Sequence, residues 1–220
     1  MKILREIWQT HMEYIRLVLR VCGVLALLFA FNIPFLIFVP EGIHDYLYQL
    51  FFIFATLIFA FGIDGMKFKD MGLELRGRGA EFGFGLGLGT IQVFGIFLIY
   101  WILDTLYIFG VSFFDYFFPA LIYFTLVAVA EEMFFRGYLL NLFSGSIYKA
   151  LIISALLFAV GHPIDSGFDF ILLTLKGIAY GYMYLWSGSL WLPMGAHLTW
   201  NLALKVVKAN SVIVSSDTTA

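Results

Sequence analysis

Cysteine is almost missing from this sequence: Cys22 is the single one in 220 residues. That excludes an internal disulfide framework and a thiolate metal cluster. Cys22 lies inside the first apolar run and reads as a small core residue. Charge is scarce as well. Acidic and basic residues together make up 13% of the chain and nearly cancel, leaving a net charge of -2. Once the loop lysines and arginines are assigned to topology, no basic surface large enough for nucleic acid remains. Long Ser, Pro or Gln tracts and linkers are absent too, so one domain is the simplest organisation. The His-Glu-x-x-His pattern, which sets two zinc-binding histidines on one helix face, does not occur.

What is present is apolar. Hydrophobic residues make up 62% of the chain, and the mean hydropathy is +0.93. A soluble domain of this length could not bury that much apolar surface, so the expected class is all-α, a polytopic transmembrane helical bundle. About 20 apolar residues span hydrocarbon. On that measure the chain divides into about seven spans, within a range of six to eight: Val21 to Val39, Tyr46 to Ile63, from near Ala80 to Leu103-Asp104, Phe117 to Phe143, Ile147 to Gly161, Phe170 to Trp186, and Leu190 to about Val207. Met1 to Arg20 suits an amphipathic start at the membrane surface or a solvated basic flank. No small-x-small cleavage site follows the first run, so it reads as a retained span. Ser144-Gly145-Ser146 and Ser187-Gly188-Ser189 read as turns, and the tail after Lys208 is given no structure.

Residues 1–116 form a basic segment with spans one to three, 117–207 form spans four to seven, and 208–220 form a polar tail, all within one membrane domain. Lysine and arginine alternate along the loops. Lys2, Arg5, Arg16 and Arg20 precede span one, and Lys67, Lys69, Arg76 and Arg78 separate spans two and three, whereas the first and third connections carry none. This is the positive-inside pattern, and it puts the amino terminus in the cytoplasm. In span three, Gly79, Gly83 and Gly87 recur at four-residue spacing, with Gly85 and Gly89 in a second row. Small residues at that spacing let helices approach closely in lipid. A nucleotide-binding reading of the same glycines fails, because no strand precedes them.

The costly feature is Ala128 to Asn141, where Glu131, Glu132 and Arg136 lie within an apolar helix. Ionisable groups at mid-depth cost about 2.5 to 3.5 kcal/mol each, so they face a protein interior or a cavity and mark function. Glu132 and Arg136 are four apart with the acid first, the favourable order for an ion pair on one helix face. An ion pair that locks the helices is preferred for them over direct catalysis. Glu131 points about 100° away from its neighbour and is free to face a water.

Lone polar groups also interrupt other spans: His162 closes span five, and His197 with Asn201 shares one face of span seven. Counting about 1.5 Å per residue from the turn at 144–146 sets Glu131 and His162 within about 5 Å of one level. His197 comes out shallower, so span seven needs a tilted or re-entrant start. Alone, each of these residues would read as packing; together they read as a site. His11 and His44 lie in flanking segments and read as surface residues. Lys176 either snorkels to an interface or lines the cavity.

Glu131-Glu132-x-x-x-Arg136, Phe158-x-x-x-His162 and His197-x-x-x-Asn201 resemble the three signature motifs of the CPBP family of intramembrane proteases. That family includes the type II CAAX prenyl endopeptidase and bacteriocin-processing and self-immunity proteins. Phe134-Phe135-Arg136-Gly137 and Trp191-x-Pro193-x-x-Ala196-His197 look like the usual surroundings of motifs one and three. The resemblance covers Phe117 to Leu204. It implies peptide-bond hydrolysis in the membrane, with a membrane-associated substrate: a CAAX-type tail, a leader peptide or a membrane protein. By similarity, Glu131 and His162 activate the water, His197 and Asn201 hold the oxyanion, and Glu132 with Arg136 orients Glu131.

No cofactor is expected beyond the catalytic water. The alternative is zinc held by Glu131, His162 and His197 with a water as fourth ligand. A non-catalytic immunity or scaffold protein, or a small transporter, is the alternative from another class. The expected partners are membrane lipid and a peptide or lipidated protein. The expected location is the cytoplasmic membrane in a bacterium or archaeon and the endoplasmic reticulum in a eukaryote.

Overall fold

The computed structural model describes residues 2–75, 77–102, 106–111, 113–143 and 146–211. The sequence readings at Arg76, at the Leu103-Asp104 end of span three, at Ser144-Gly145 and beyond 211 lie outside them.

Seven α-helices dominate: α1 Lys2–Phe38, α2 Glu41–Leu57, α3 Gly79–Ile102, α4 Phe113–Glu132, α5 Ile147–Val160, α6 Gly167–Ser187 and α7 Trp191–Val206. The chain is a helical membrane bundle. Among the described residues, three stretches are long and apolar enough to cross a membrane by themselves: Gly42–Ile63, Gly79–Ile102 and Phe117–Leu142. The expected amphipathic start and first span merge into one helix of 37 residues, about 55 Å long.

Two helices end in wide turns, where a backbone N–H reaches the carbonyl five residues back. After α2 the turn covers Ile58–Ile63, and Asp64 N donates to Phe59 O. After α4 it covers Met133–Tyr138, and Leu139 N donates to Phe134 O. Such π-helical turns recur at functional sites. A short 3₁₀ turn, Leu139–Leu142, completes the second one.

The chain also contains two strands that its sequence did not announce. β1 Leu106–Val111 pairs antiparallel with β2 Val207–Ser211, with an irregularity between Ile108 and Gly110. The start of the polar tail is therefore paired, where no structure was expected. Backbone pairing needs no apolar pattern from the tail, which is why that pattern gave no signal.

α7 runs through the bundle against α3, α4 and α6. The α3–α7 contact is made by the second glycine row. A β-carbon on Gly85 would lie 2.1 Å from the carbonyl oxygen of Leu192, and one on Gly89 2.5 Å from that of Ala196. Gly195 answers from α7, where a β-carbon would meet Phe82 O at 2.4 Å. The first row, Gly79, Gly83 and Gly87, faces open space. Four-residue spacing thus identifies rows that could pack, while the partner helix decides which one does.

The segment between α2 and α3 caps this end of the bundle. Met71 is fully buried, Leu190 N donates to Gly72 O at 3.0 Å, and Trp191 Nε1 donates to Glu74 O at 2.9 Å. Gly72 has φ +71, and a β-carbon there would meet Tyr184 at 2.8 Å. A left-handed backbone and a close approach together require glycine at this position.

Cys22 is exposed, which corrects its assignment to the core. It faces out of α1 alongside exposed Leu25 and Phe29, because an apolar environment outside the bundle does not force a small apolar residue inwards.

Candidate active site

Glu131 and Glu132 stand on the last turn of α4, and the wide turn that follows carries Arg136. Arg136 NH1 donates to Glu132 Oε1 at 2.9 Å, and both side chains are wholly buried. Arg136 NH2 donates to the carbonyl of Gly177 on α6 at 3.1 Å, and the guanidinium carbon lies 4.5 Å from the centre of the Phe158 ring. The ion pair expected from the i,i+4 spacing therefore ties α4 to α5 and α6.

Glu132 has a second role. His197 Nδ1 lies 2.8 Å from the same Oε1 that accepts from Arg136. With Glu132 ionised by its pairing with Arg136 and His197 neutral, His197 donates from Nδ1 and leaves Nε2 with its lone pair. His162 reaches the same arrangement by another route. Its Nδ1 lies 2.7 Å from the Phe158 carbonyl, which can only accept, so in the neutral ring Nε2 again carries the lone pair.

Both Nε2 atoms face Glu131. Glu131 Oε2 is 3.5 Å from His162 Nε2 and 3.7 Å from His197 Nε2. Neither Glu131 Oε2 nor His197 Nε2 has a hydrogen-bond partner within the described residues, although both are buried. With both imidazoles neutral, three acceptors converge here with no hydrogen among them. A buried arrangement of that kind requires a donor between them, and one water supplies two hydrogens.

The expected depth mismatch of His197 is resolved at the start of α7. Ser189 and Leu190 are themselves fully buried beneath the segment from Met71 to Glu74, so α7 begins inside the protein. Asn201 follows one turn later, half-buried, and makes no side-chain hydrogen bond among the described residues. Of the six residues expected at the site, the structure joins Glu131, Glu132, Arg136, His162 and His197 in one network and leaves Asn201 beside it.

A cavity of about 430 Å³ opens on this network. Glu131 and His162 line it, together with apolar residues of α1, α2, α4 and α5, including Leu28, Phe52, Phe135 and Val160. Tyr48 and Gln49 of α2 line it too and were not singled out in the sequence. The available signal was a lone amide in the Phe- and Ile-rich run of span two. Lys176 is not among the residues lining this cavity. Its ammonium lies 5.5 Å from the centre of the Tyr180 ring and 5.1 Å from that of Trp200, held by cation–π contact. His11 is exposed, and His44 is half-buried with Nδ1 3.7 Å from Asp45.

Among the described residues, no group of three or more His, Cys, Asp or Glu side chains is placed to hold a metal ion.

The wide turn carries one further polar anchor. Tyr138 donates to Asp64 Oδ2 at 2.6 Å, and Arg20 of α1 donates to both oxygens of the same carboxylate, at 2.9 Å each. Burial of Asp64 favours its neutral form, but the hydrogen bonds from Arg20 and Tyr138 outweigh it and hold the carboxyl below its ordinary value.

Comparison with known proteins finds similarity over the part of the chain that carries this geometry. Residues 112–203 match a family model described as type II CAAX prenyl endopeptidase Rce1-like. The uncharacterized protein YpbD of Bacillus subtilis strain 168 is 38% identical over 82 residues, which is 36% of this chain and 40% of that protein. No solved structure matches. The family points to a protease, and its helical, apolar setting to an integral membrane protein. Over residues 112–203, which hold all three motifs, the chain is similar to the Rce1-like type II CAAX prenyl endopeptidase family.

Proposed function

We propose that this protein is an intramembrane endopeptidase that hydrolyses a peptide bond of a membrane-associated substrate with a water activated by Glu131. The observation that carries this reading is the convergence of Glu131 Oε2, His162 Nε2 and His197 Nε2 on one buried point, with Glu131 and His162 lining a cavity. A water there donates one hydrogen to Glu131 and one to a histidine, leaving an oxygen lone pair for the scissile carbonyl. General bases positioned in this way contribute about 10²- to 10⁴-fold.

Attack forms the C–O bond and moves the proton to Glu131. Collapse of the tetrahedral adduct breaks the C–N bond, and the proton passes to the leaving amine through Glu131 or His162. His197 holds its lone pair toward the water because Glu132 fixes its tautomer. It becomes an oxyanion donor when Glu131 passes it the proton taken from the water, and returns that proton through Glu131 to the leaving amine. Asn201, with two amide hydrogens and no competing partner, supplies the other donor. Such donors are commonly worth about 3 to 4 kcal/mol. No covalent intermediate is needed, and no metal takes part. The basic loops put the amino terminus on the cytoplasmic side, so the substrate enters from the inner leaflet.

The test is cleavage of lipidated and leader-type peptides by the detergent-purified protein, with products identified by mass spectrometry. Wild type should yield two fragments from at least one peptide, while His162→Ala, outside the wholly buried cluster, loses most of that activity without loss of fold. No cleavage of any peptide would contradict the reading and leave an immunity or scaffold role.

A further inference from the structure

Besides Tyr48, the cavity wall holds a polar group that neither the ion pairs nor the proposed chemistry uses. Gln49, on α2, is 8% exposed; its amide is hydrogen-bonded to the side chain of Tyr123 on α4, while its Oε1 is buried without a partner among the described residues. It lines the same cavity as Glu131 and His162, flanked by Phe52, Leu28 and Phe134. A buried amide oxygen left unpaired costs about 1–3 kcal/mol, so such an atom calls for a donor from outside the fold.

The proposed substrate has the matching need. A peptide segment entering an apolar cavity loses water from its backbone N–H groups, and each must find an acceptor. Glu131 and the two histidines are committed to the water. Most of the remaining lining is aliphatic or aromatic carbon. About 430 Å³ lies within the usual range for a small ligand, enough for a short extended stretch of chain and too little for a folded domain.

We propose that Gln49 is a substrate-binding residue whose side-chain carbonyl accepts a hydrogen bond from a backbone N–H of the peptide beside the scissile bond. This rests on the proteolytic reading. It assigns α2, outside the segment matched by the family model, a direct part in register selection: the amide fixes which peptide bond stands over Glu131.

The experiment replaces one backbone amide at a time by an ester in a peptide that the wild type cleaves, removing one N–H without changing the side chains. Cleavage by the wild type should fall about ten- to hundredfold for an ester at one position near the scissile bond, and little elsewhere. Gln49→Met should cut the unmodified peptide more slowly, by a similar factor, and show no further loss with that ester. If Gln49→Met retains the full ester penalty, Gln49 does not bind that N–H and the proposal falls while proteolysis stands. If the wild type cleaves nothing, the proteolytic reading falls and this one with it. Gln49→Leu serves if Gln49→Met does not fold. Should neither fold, uniform ester effects in the wild type would overturn the proposal, and a single sensitive position would support it.

Discussion

Two charged clusters hang on the same wide turn and differ in almost everything else. Arg136 belongs to a cluster with Glu132 and His197 in which no side chain is more than 1% exposed. Tyr138, two residues on, belongs to a cluster with Asp64 and Arg20 whose charged side chains are 13% and 24% exposed. The inner cluster orients a ring that faces the proposed water. The outer one ties the turn to the middle of α1 and to the residue that closes the turn after α2, and so to the cavity wall. Burial makes the difference: an ion left unpaired inside is stranded, whereas one near the rim finds water.

The largest effect should follow from opening the inner cluster. Arg136→Met strands the Glu132 carboxylate and should lower stability by about 3–5 kcal/mol, read as a fall in the detergent melting temperature. Adding Glu132→Leu should recover part of the loss; a double variant as damaged as the sum of its parts would contradict the stranded-charge account. Next in size is the α3–α7 contact. Gly85→Val forces a methyl-bearing carbon onto the Leu192 carbonyl and should cost about 1–3 kcal/mol, while Gly83→Val, on the open row, should melt within about 0.5 kcal/mol of wild type.

Which parts of this were legible follows from sequence distance. Glu132 and Arg136 pair at i,i+4, a rule of one helix, and the sequence displays it. Arg20 and Asp64 pair across 44 residues, and nothing local to either announces the other. The same limit applies to the glycine rows. Their spacing was visible, but their phase depends on where Gly195 sits on α7. The three motifs made the candidate site legible, but the cap over α7 from Met71 to Glu74 did not appear, although it explains how His197 reaches Glu131. Gln49 was passed over because a single amide in an apolar run has no pattern.

The outer cluster gives the smaller predictions. Asp64→Asn keeps the shape and removes the charge, and should cost about 1–3 kcal/mol. Its pH dependence has a definite sign. The folded state holds the Asp64 carboxyl below its ordinary value of about 3.9, so the unfolded chain takes up a proton first as pH falls. The contribution of Asp64 is therefore complete above about pH 4 and fades below it. Asp64→Asn should melt with less acid sensitivity than wild type in that window; an unchanged acid limb would remove Asp64 from the account. Cys22→Ser, on an exposed face of α1, should have no measurable effect on melting.

The central claim is that Glu131 activates a water without a metal, and the most direct measurement is cleavage of a susceptible peptide by wild type and Glu131→Gln, each with and without a strong chelator. Glu131→Gln preserves shape and removes the base. Activity should survive chelation in the wild type and vanish in Glu131→Gln while the variant melts like the parent. Equal activity in the two proteins, or wild-type activity lost to chelation and restored by zinc, would contradict it.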